Sequence, residues 1–339
     1  MRNNLGFPSF EEEQDNLHRL DSIKSICIFC NSTNVVDFSI TIPTYKRVDQ
    51  LVETIESALK QDTAINYEII VVDNNPERGD LTEVLMNRYK ENKNIAYYKN
   101  SENLGMGGNW NRCLSLANGN WVVLLHDDDK IEPSFLSEVK KIAMKHPNAG
   151  FIQTRKYSTK EPQGIPWKHS WYEYRKLTSL DAVNGAGIIG VPSGVAYRKT
   201  ALDEMGGIYY DDLAAYGYYF HARMMKYYSC YKINKELTFY RVGTENASAK
   251  PEILEMWIDN DNFIGYSVLS RYLPDFIVMP YLSLYDKGME QGIRKQWMSN
   301  FQIPARSVIR PYSSWREKIS FRIVLILMAI NHIKNILFR

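Results

Sequence analysis

The chain of 339 residues has little of what marks several large classes of protein. It contains only four cysteines, which are too few and too scattered for a disulfide framework and so favour a reducing compartment such as the cytoplasm. Its formal net charge of +2 gives no whole-chain case for nucleic acid binding. Residues 1–21 are polar and acidic and lack the apolar run of a secretion signal. We therefore expect a cytoplasmic protein with no nucleic acid partner.

Two common nucleotide-binding signatures are also missing. No strand-to-helix turn carries a Gly-x-Gly-x-x-Gly fingerprint or a Walker lysine. Any nucleotide site in this chain must therefore be assembled from several separate loops.

The cysteines form one close pair, Cys27 and Cys30, while Cys113 and Cys230 stand alone. The spacing of the pair is half of a zinc ribbon, but no second pair at ribbon spacing follows it. A zinc site and a redox site both stay open as interpretations, and the spacing alone decides neither.

Apolar strand patterns alternate with helical patterns through the first half of the chain. Strands are predicted at 38–43, 67–72, 95–99, 121–125 and 150–154, and helices at 48–61, about 81–92 and about 134–146, with a further helix that follows a loop at 103–109 and ends at about 116. Such alternation is typical of an α/β fold in which a parallel sheet is flanked by helices.

Acidic side chains follow two of these strands. The strand from Trp121 to Leu125 runs into Asp127, Asp128 and Asp129, and the strand ending at Val72 is followed by Asp73. Ligands of α/β sheets bind at the carboxyl ends of the strands. Three adjacent carboxylates repel one another, and a divalent cation such as Mg²⁺ or Mn²⁺, or solvent in an acidic turn, would offset the repulsion. The pattern predicts a metal-assisted nucleotide site or a solvated loop.

Four motifs give the chain a specific resemblance over residues 37 to about 248. They are Ser39-Ile40-Thr41-Ile42-Pro43-Thr44-Tyr45-Lys46-Arg47, Ile69-Ile70-Val71-Val72-Asp73-Asn74, Asn103-Leu104-Gly105 with Asn109, and the aspartates ending at Asp129. In this order and spacing they resemble the family 2 inverting glycosyltransferases of the GT-A fold. The resemblance implies a Rossmann-like, mixed central sheet flanked by helices, with a C-terminal helical extension.

The resemblance also implies roles for individual residues. Asp127 and Asp129 would hold Mg²⁺ or Mn²⁺, although the histidine that many relatives carry near the position of Gly243 is absent. The donor nucleotide would be bound by Pro43, Thr44, Tyr45, Arg47, Asp73, Asn103, Gly105, Asn109, Asp127 and Asp128.

The general base is where the chain departs from the family. Relatives carry a Glu-Asp pair about ten residues after a Gly-Gly, and Tyr216-Gly217 occupies that position here. Neither residue can act as a base at neutral pH. Asp212 and Asp211 are the candidate replacements, with two solvated acids as the alternative, and His221 is a further candidate.

The domain organisation is predicted as an N-terminal extension at 1–36, a GT-A domain at 37–250, a helical extension at 251–304 and a basic amphipathic helix at 305–339. A capping box at Ser9 predicts a short helix reaching about Ile26 in the extension. The last helix is too short in its apolar run to span a bilayer. It would bind an anionic membrane surface or pack on protein.

Together these features predict a metal-dependent inverting glycosyltransferase that moves sugar from a nucleotide donor, expected to be a UDP-sugar, onto a hydroxyl of a glycan or lipid-linked acceptor, as in bacterial surface polysaccharide synthesis. It would work at the inner face of the cell membrane. The alternative is a catalytically impaired GT-A-like protein that binds a nucleotide or glycan there. A sugar nucleotidyltransferase is disfavoured, because Pro43 and Thr44 stand where it needs a glycine-rich loop.

Overall fold

The computed structural model describes residues 7–30, 36–61, 64–158, 172–184, 191–211, 214–241, 251–284 and 314–337. Its strands are β1 (Ser25–Cys30), β2 (Phe38–Thr44), β3 (Tyr67–Asp73), β4 (Ile95–Asn100), β5 (Trp121–Leu124), β6 (Lys130–Ile131), β7 (Phe151–Tyr157), β8 (Tyr174–Leu177), β9 (Val195–Arg198) and β10 (Cys230–Phe239). Its helices are α1 (Val48–Leu59), α2 (Leu81–Met86), α3 (Gly105–Leu116), α4 (Phe135–Lys145), α5 (Lys199–Glu204), α6 (Gly217–Tyr227), α7 (Pro251–Leu269) and α8 (Trp315–Leu337). Residues 275–284 are also helical.

A single mixed sheet organises the described residues. Its strands lie in the order β1-β4-β3-β2-β5-β9-β7-β10-β6, with β8 paired to β10. The four strands β4, β3, β2 and β5 are parallel neighbours, so their carboxyl ends meet at one edge. Antiparallel β9 and β1 flank them. The α/β class and the mixed sheet expected from the resemblance are both confirmed.

Two hydrophobic cores cover the sheet, one on each face. Because successive strand residues point to opposite faces, Ile70 packs in one core with α3, while Ile69 packs in the other with α1. Helix α1 buries Leu51 and Ile55 on its sheet-facing side. This double coverage explains why β3 reads as a continuous apolar run.

The N-terminal residues form no helix between Phe7 and Lys24, so the helix predicted from Ser9 is wrong. The segment instead forms a series of turns and then continues into β1, which pairs with β4. The Arg223 guanidinium donates to the carbonyl oxygens of Phe10 (3.2 Å) and Glu12 (2.9 Å). Backbone groups that a helix would have satisfied internally are thus bound by the rest of the protein.

Cys27 and Cys30 form a disulfide within β1, with their Cα atoms 6.3 Å apart. The half zinc ribbon is therefore wrong, because bonded sulfurs have no thiolate left to ligate zinc. Cys113 and Cys230 are free and buried.

Within the described C-terminal part, residues 251–269, 275–284 and 315–337 are helical, as predicted. Helix α8 packs Val324 fully against the core, and the Asn331 amide donates to Thr178 Oγ1 over 2.7 Å. Among the described residues, no helix combines the length and the apolar character needed to cross a membrane. The predicted domain boundaries stay predictions.

Candidate functional site

A cavity of about 390 Å³ opens at the edge where the parallel strands end. Loops following β2, β3, β4 and β5 supply most of its wall, and α7 closes one side. Its lining residues are Pro43, Thr44, Tyr45, Arg47, Asn74, Asn103, Gly105, Met106, Asn109, Trp110, His126, Asp127, Asp128, Val191, Tyr240 and Trp257. Nine of the ten residues predicted to bind the donor nucleotide are in this set.

The first two aspartates after β5 are bound to the loop after β2. Thr44 Oγ1 donates to Asp127 Oδ2 over 2.8 Å. Arg47 Nη1 lies 2.9 Å from Asp128 Oδ2 and 3.5 Å from Asp127 Oδ1. Because β2 and β5 are paired in parallel, the two loops emerge side by side and bring these groups together. The site therefore combines carboxylates with a guanidinium at its centre.

A second group of ligand atoms lies beside this pair. Ligand atoms of His126, Asp128 and Asp129 lie within 4.8 Å of one another. His126 Nε2 and Asp129 Oδ2 are buried and have no hydrogen-bond partner among the described residues. Buried polar atoms without partners are costly, and a divalent cation held by this group would satisfy the Asp129 oxygen. The residues present therefore fit a Mg²⁺ or Mn²⁺ site.

This group differs from the predicted metal pair of Asp127 and Asp129. Asp129 belongs to it, whereas Asp127 does not, and the Asp127 carboxylate instead accepts from Thr44 and Arg47. His126 enters instead, directly before the aspartates. It would supply an imidazole to a cation in place of the one that relatives carry near the position of Gly243, which lies outside the described residues.

Burial sets the charge state of these groups. It lowers the pKa of His126 to about 3, with Lys156 and Arg47 adding to the effect, so the imidazole is neutral and able to ligate a cation near pH 7. Burial raises the pKa of Asp127 to about 6, and burial together with Asp128 raises that of Asp129 to about 7. The aspartates are thus crowded carboxyl groups that a cation would hold ionised.

Arg241 fixes the orientation of the aspartate loop from the end of β10. Its backbone N–H donates to Asp129 Oδ1 over 2.8 Å, and its guanidinium donates to the Asp128 carbonyl oxygen over 2.9 Å. A further bond joins the guanidinium to Glu53 over 2.8 Å. These contacts hold the loop in place although its carboxylates repel one another.

Asp73 is the one predicted nucleotide-binding residue that does not line the cavity. Its side chain is fully buried, and it accepts hydrogen bonds from Asn75 N–H (2.9 Å), Tyr97 OH (2.8 Å) and Lys99 Nζ (2.7 Å). Both carboxylate oxygens are therefore occupied by protein. The prediction of a direct nucleoside contact by Asp73 is corrected to a supporting position, and the next residue, Asn74, lines the cavity.

The structure describes only one of the two aspartates that were predicted as candidate bases. Asp212 lies outside the described residues. Asp211 accepts from Ala214 N–H (2.8 Å) and Tyr216 OH (2.6 Å) and does not line the cavity. Helix α6 begins at Gly217, where an added Cβ would lie 2.7 Å from the Pro192 ring. A side chain at Gly217, the second position of the aligned pair, would therefore require Pro192 to move.

His221 is not placed to act as a base. Its side chain is fully buried in the core, where Nε2 lies 2.6 Å from Tyr197 OH and the ring packs on Phe151. It does not line the cavity, so of the two interpretations of His221, a titrating group at the site or a structural histidine, the structure favours the second.

Comparison with known proteins agrees with the motifs. A family model described as Glycosyl transferase family 2 matches residues 39–206. A Bacillus subtilis (strain 168) protein described as the uncharacterized glycosyltransferase YwdF is 30% identical over 198 residues, which are 56% of this chain and 68% of that protein. The chain belongs to glycosyl transferase family 2. This family 2 glycosyltransferase is also 35% identical over 106 residues to the Campylobacter jejuni GalNAc(5)-diNAcBac-PP-undecaprenol beta-1,3-glucosyltransferase, covering 31% of this chain and only 34% of that relative.

Solved structures share the fold of this glycosyltransferase. Staphylococcus aureus TarS 1–349 in complex with UDP-GlcNAc matches with a TM-score of 0.56 at 18% identity, covering 86% of this chain and 80% of that one. The mannosyltransferase PcManGT from Pyrobaculum calidifontis, in complex with GDP-Man and Mn²⁺, matches with a TM-score of 0.54 at 17% identity, covering 93% and 91%. At these identities the likeness establishes the GT-A architecture.

Several cavity residues of the glycosyltransferase escaped the sequence analysis. Trp110, which stacks on His126 with ring centroids 4.6 Å apart, comes from α3. Val191, Tyr240 and Trp257 come from three segments further along the chain. His126 was adjacent to a recognised motif and could have been found from that position. The others are single apolar or aromatic residues with no local signal.

Proposed function

We propose that this glycosyltransferase transfers a sugar, with inversion and with a divalent cation, from a UDP-sugar to a hydroxyl of a glycan or lipid-linked acceptor. The observation that carries the proposal is the group of His126, Asp128 and Asp129 at the strand ends, where His126 and Asp128 line the cavity and Asp129 Oδ2 has no hydrogen-bond partner among the described residues. The UDP-GlcNAc and GDP-Man with Mn²⁺ bound by the two structural neighbours support a nucleotide-sugar donor and a cation.

The proposed role of each residue in the site follows from its charge. Arg47 lies next to Asp127 and Asp128, where its guanidinium would bind a phosphate oxygen of the donor. Neutral His126 with Asp128 and Asp129 would hold the cation. The cation, when bound, stabilises negative charge on the departing diphosphate. Arg241 positions the aspartates for this task.

The proton of the acceptor hydroxyl needs a base. Asp212 and Asp211 stay the proposed candidates, and the engaged carboxylate of Asp211 makes Asp212 the first to test. The base would remove the proton as the hydroxyl oxygen attacks the anomeric carbon from the face opposite the diphosphate.

A lipid-linked acceptor and a role in surface polysaccharide synthesis are supported by two observations. The Campylobacter relative is named for an undecaprenol-linked substrate. Helix α8 exposes apolar side chains, among them Ile319, Ile326 and Ile330, next to exposed Arg316 and Arg322. A basic helix with an outward apolar face binds anionic membrane interfaces. We therefore propose peripheral attachment to the inner face of the cell membrane through α8.

The test compares Asp128→Asn and Asp129→Asn with Asp37→Asn, a matched change at the opposite edge of the sheet. Transfer from UDP-sugars and thermal stabilisation by UDP with Mn²⁺ are measured together. We expect both site variants to lose about 100-fold or more in turnover and to lose the Mn²⁺-dependent stabilisation, while the control keeps both. Unchanged turnover in the site variants would contradict the proposal. Asp212→Asn and Asp211→Asn test the base in the same assay.

The absence of a carboxylate at Tyr216 and Gly217 favours one alternative, a catalytically impaired nucleotide- or glycan-binding protein. It predicts tight UDP binding without turnover for any donor and acceptor. The same assay separates the two functions.

A further inference from the structure

Cys27 and Cys30 lie on the outermost strand of the sheet and are joined to each other. Strand β1 stands at one end of the strand order and pairs with β4. Both cysteines are exposed to solvent, and their disulfide joins residues only three positions apart. Cys113 and Cys230 are fully buried. The four cysteines therefore comprise one accessible pair and two inaccessible thiols.

A bulge in β1 brings the two cysteines within bonding distance. The pairing register shifts between Cys27 and Phe29, which leaves Ile28 as an extra residue on β1. In a regular strand, residues three positions apart have Cα atoms about 10 Å apart and point to opposite faces of the sheet. A disulfide needs a Cα separation below about 7 Å. The observed separation of 6.3 Å therefore depends on the bulge, which shortens β1.

The disulfide and the bulge depend on each other. While the bond is closed, β1 cannot extend into a regular pairing with β4, because the cysteines would then lie beyond bonding distance. When the bond opens, this restraint on the strand is lost. The oxidation state of the pair therefore determines how tightly the geometry of β1 is fixed.

Phe29, between the two cysteines, connects β1 to the interior. Its side chain is 7% exposed, and its ring centroid lies 5.8 Å from that of Tyr97 on β4. Tyr97 OH donates to Asp73 Oδ2 over 2.8 Å, and Asp73 is followed by the cavity residue Asn74. The bond thus acts on a strand whose contacts continue, through Tyr97 and Asp73, to the wall of the cavity.

We propose that Cys27 and Cys30 are a reversible thiol–disulfide pair that exchanges with small thiols and controls the rigidity of β1. A small thiolate attacks one exposed sulfur, which forms a mixed disulfide and releases the other sulfur as a thiolate. A second small thiol then breaks the mixed disulfide. The pair gains two electrons and two protons, while two small thiols become one disulfide. A small disulfide reverses the reaction.

The chemistry of the surroundings supports this assignment. The low cysteine content favours a reducing compartment, and disulfides that form in such a compartment are usually transient. Exposed disulfides are also the ones that small thiols can reach. The proposed exchange uses no residue of the cavity and does not rest on the proposed sugar transfer.

The first test titrates the pair in the full-length protein with mixtures of reduced and oxidised glutathione and a metal chelator. Free thiols are capped with N-ethylmaleimide at each ratio, and the peptide that carries both cysteines is analysed by mass spectrometry. We expect a reversible two-electron change from an unlabelled disulfide to a doubly labelled dithiol. Cys113 and Cys230 are internal controls, because burial should leave them unlabelled in the folded protein.

Three results of this titration would overturn the inference. The pair might stay fully labelled in oxidised glutathione alone, stay closed in reduced glutathione alone, or end as a mixed disulfide with glutathione. None of these measurements involves a nucleotide or a sugar, so their failure is separate from a failure of the proposed function.

The second test asks whether the bond fixes β1. Amide hydrogen exchange is compared between the oxidised protein, the reduced protein and the double variant Cys27→Ser with Cys30→Ser. We expect the β1 amides to exchange about 10-fold faster in the last two forms, with unchanged rates in β2 and β3. The oxidised form should also unfold about 3 °C higher, because the bond restricts the unfolded chain.

The double variant, carried through the same glutathione mixtures, is the matched control, and its exchange rates should not depend on the mixture. Equal β1 exchange in the oxidised and reduced wild type would overturn the inference, as would a double variant that still follows the glutathione ratio. If the double variant does not fold, the comparison of the two wild-type forms decides the question alone.

Discussion

Replacing Lys99 with methionine removes an ammonium group that two carboxylates share beneath the cavity. The Lys99 side chain is 1% exposed and lies 2.7 Å from Asp73 Oδ2 and 3.0 Å from Asp80 Oδ1. Asp80 in turn accepts from the Asn75 amide over 2.6 Å and caps α2 through Glu83 N–H over 2.9 Å. The pair therefore holds the loop that carries Asn74.

The expected loss of stability follows from the Asp73 charge, which stays buried after Lys99 is removed. Removing one partner of a buried ion pair destabilises proteins by about 3–5 kcal/mol. Asp73 keeps donors from Tyr97 and Asn75, which places the expected loss at about 3 kcal/mol, near the low end. Adding Asp73→Asn to Lys99→Met removes the stranded charge and should recover part of that loss. Lys130→Met, which breaks an exposed pair with Glu53, should cost about 1 kcal/mol or less.

The sign of the pH dependence provides a second check. Burial raises the pKa of Asp73 above its ordinary value of 3.8, and losing Lys99 should raise that pKa further. A raised carboxyl pKa favours the folded state at low pH, and this contribution is lost as pH rises through the folded value. The destabilisation by Lys99→Met should therefore shrink as pH falls from 7 towards 5. Denaturant unfolding at several pH values measures it. A loss no larger than that of Lys130→Met, or a loss independent of pH, would refute the reasoning.

Two further predictions concern the edge of the cavity and helix α8. Gly217→Asp and Gly217→Ala should each destabilise the protein by about 1–3 kcal/mol in thermal unfolding, because both place a Cβ against Pro192. Activity that rises only in Gly217→Asp would contradict this steric account. Ile326→Gln with Ile330→Gln should weaken sedimentation with anionic vesicles by about 10-fold or more, and leave unfolding nearly unchanged because both side chains are exposed. Undiminished vesicle binding would rule out α8 as the membrane contact.

Most of the parallel sheet could be predicted because its signals are local. Strands β2 to β5 are buried runs separated by helices with clear periodicity, and their bounds agree with the predictions to within one or two residues. Strand β1 was missed because its pairing with β4 depends on contacts with residues about 70 positions later. The N-terminal segment likewise owes its conformation to Arg223, which no local pattern reveals.

The donor end of the site was predictable for the same reason that the strands were. Thr44, Asn103 and Asp127 directly follow predicted strands, and parallel strands bring such residues to one edge. Asp73 occupies an equivalent position, but its carboxylate is paired with Lys99. That residue lies 26 positions away on the next strand, so the sequence pattern did not reveal the pairing. Sequence reasoning locates a strand end but not the neighbour that neutralises a charge there.

The other side of the cavity could not be predicted from strand ends. Val191, Tyr240 and Trp257 are brought to the wall by segments that meet only in the folded protein. Arg241 shows the same dependence, since its guanidinium orients Asp128 from 113 positions away. Tyr216 and Gly217 carry no carboxylate, so the proposed base for the acceptor hydroxyl would come from a residue other than the aligned pair. The candidate donor side of the cavity is therefore encoded in consecutive strand ends, whereas its opposite wall depends on long-range packing that no local pattern reveals.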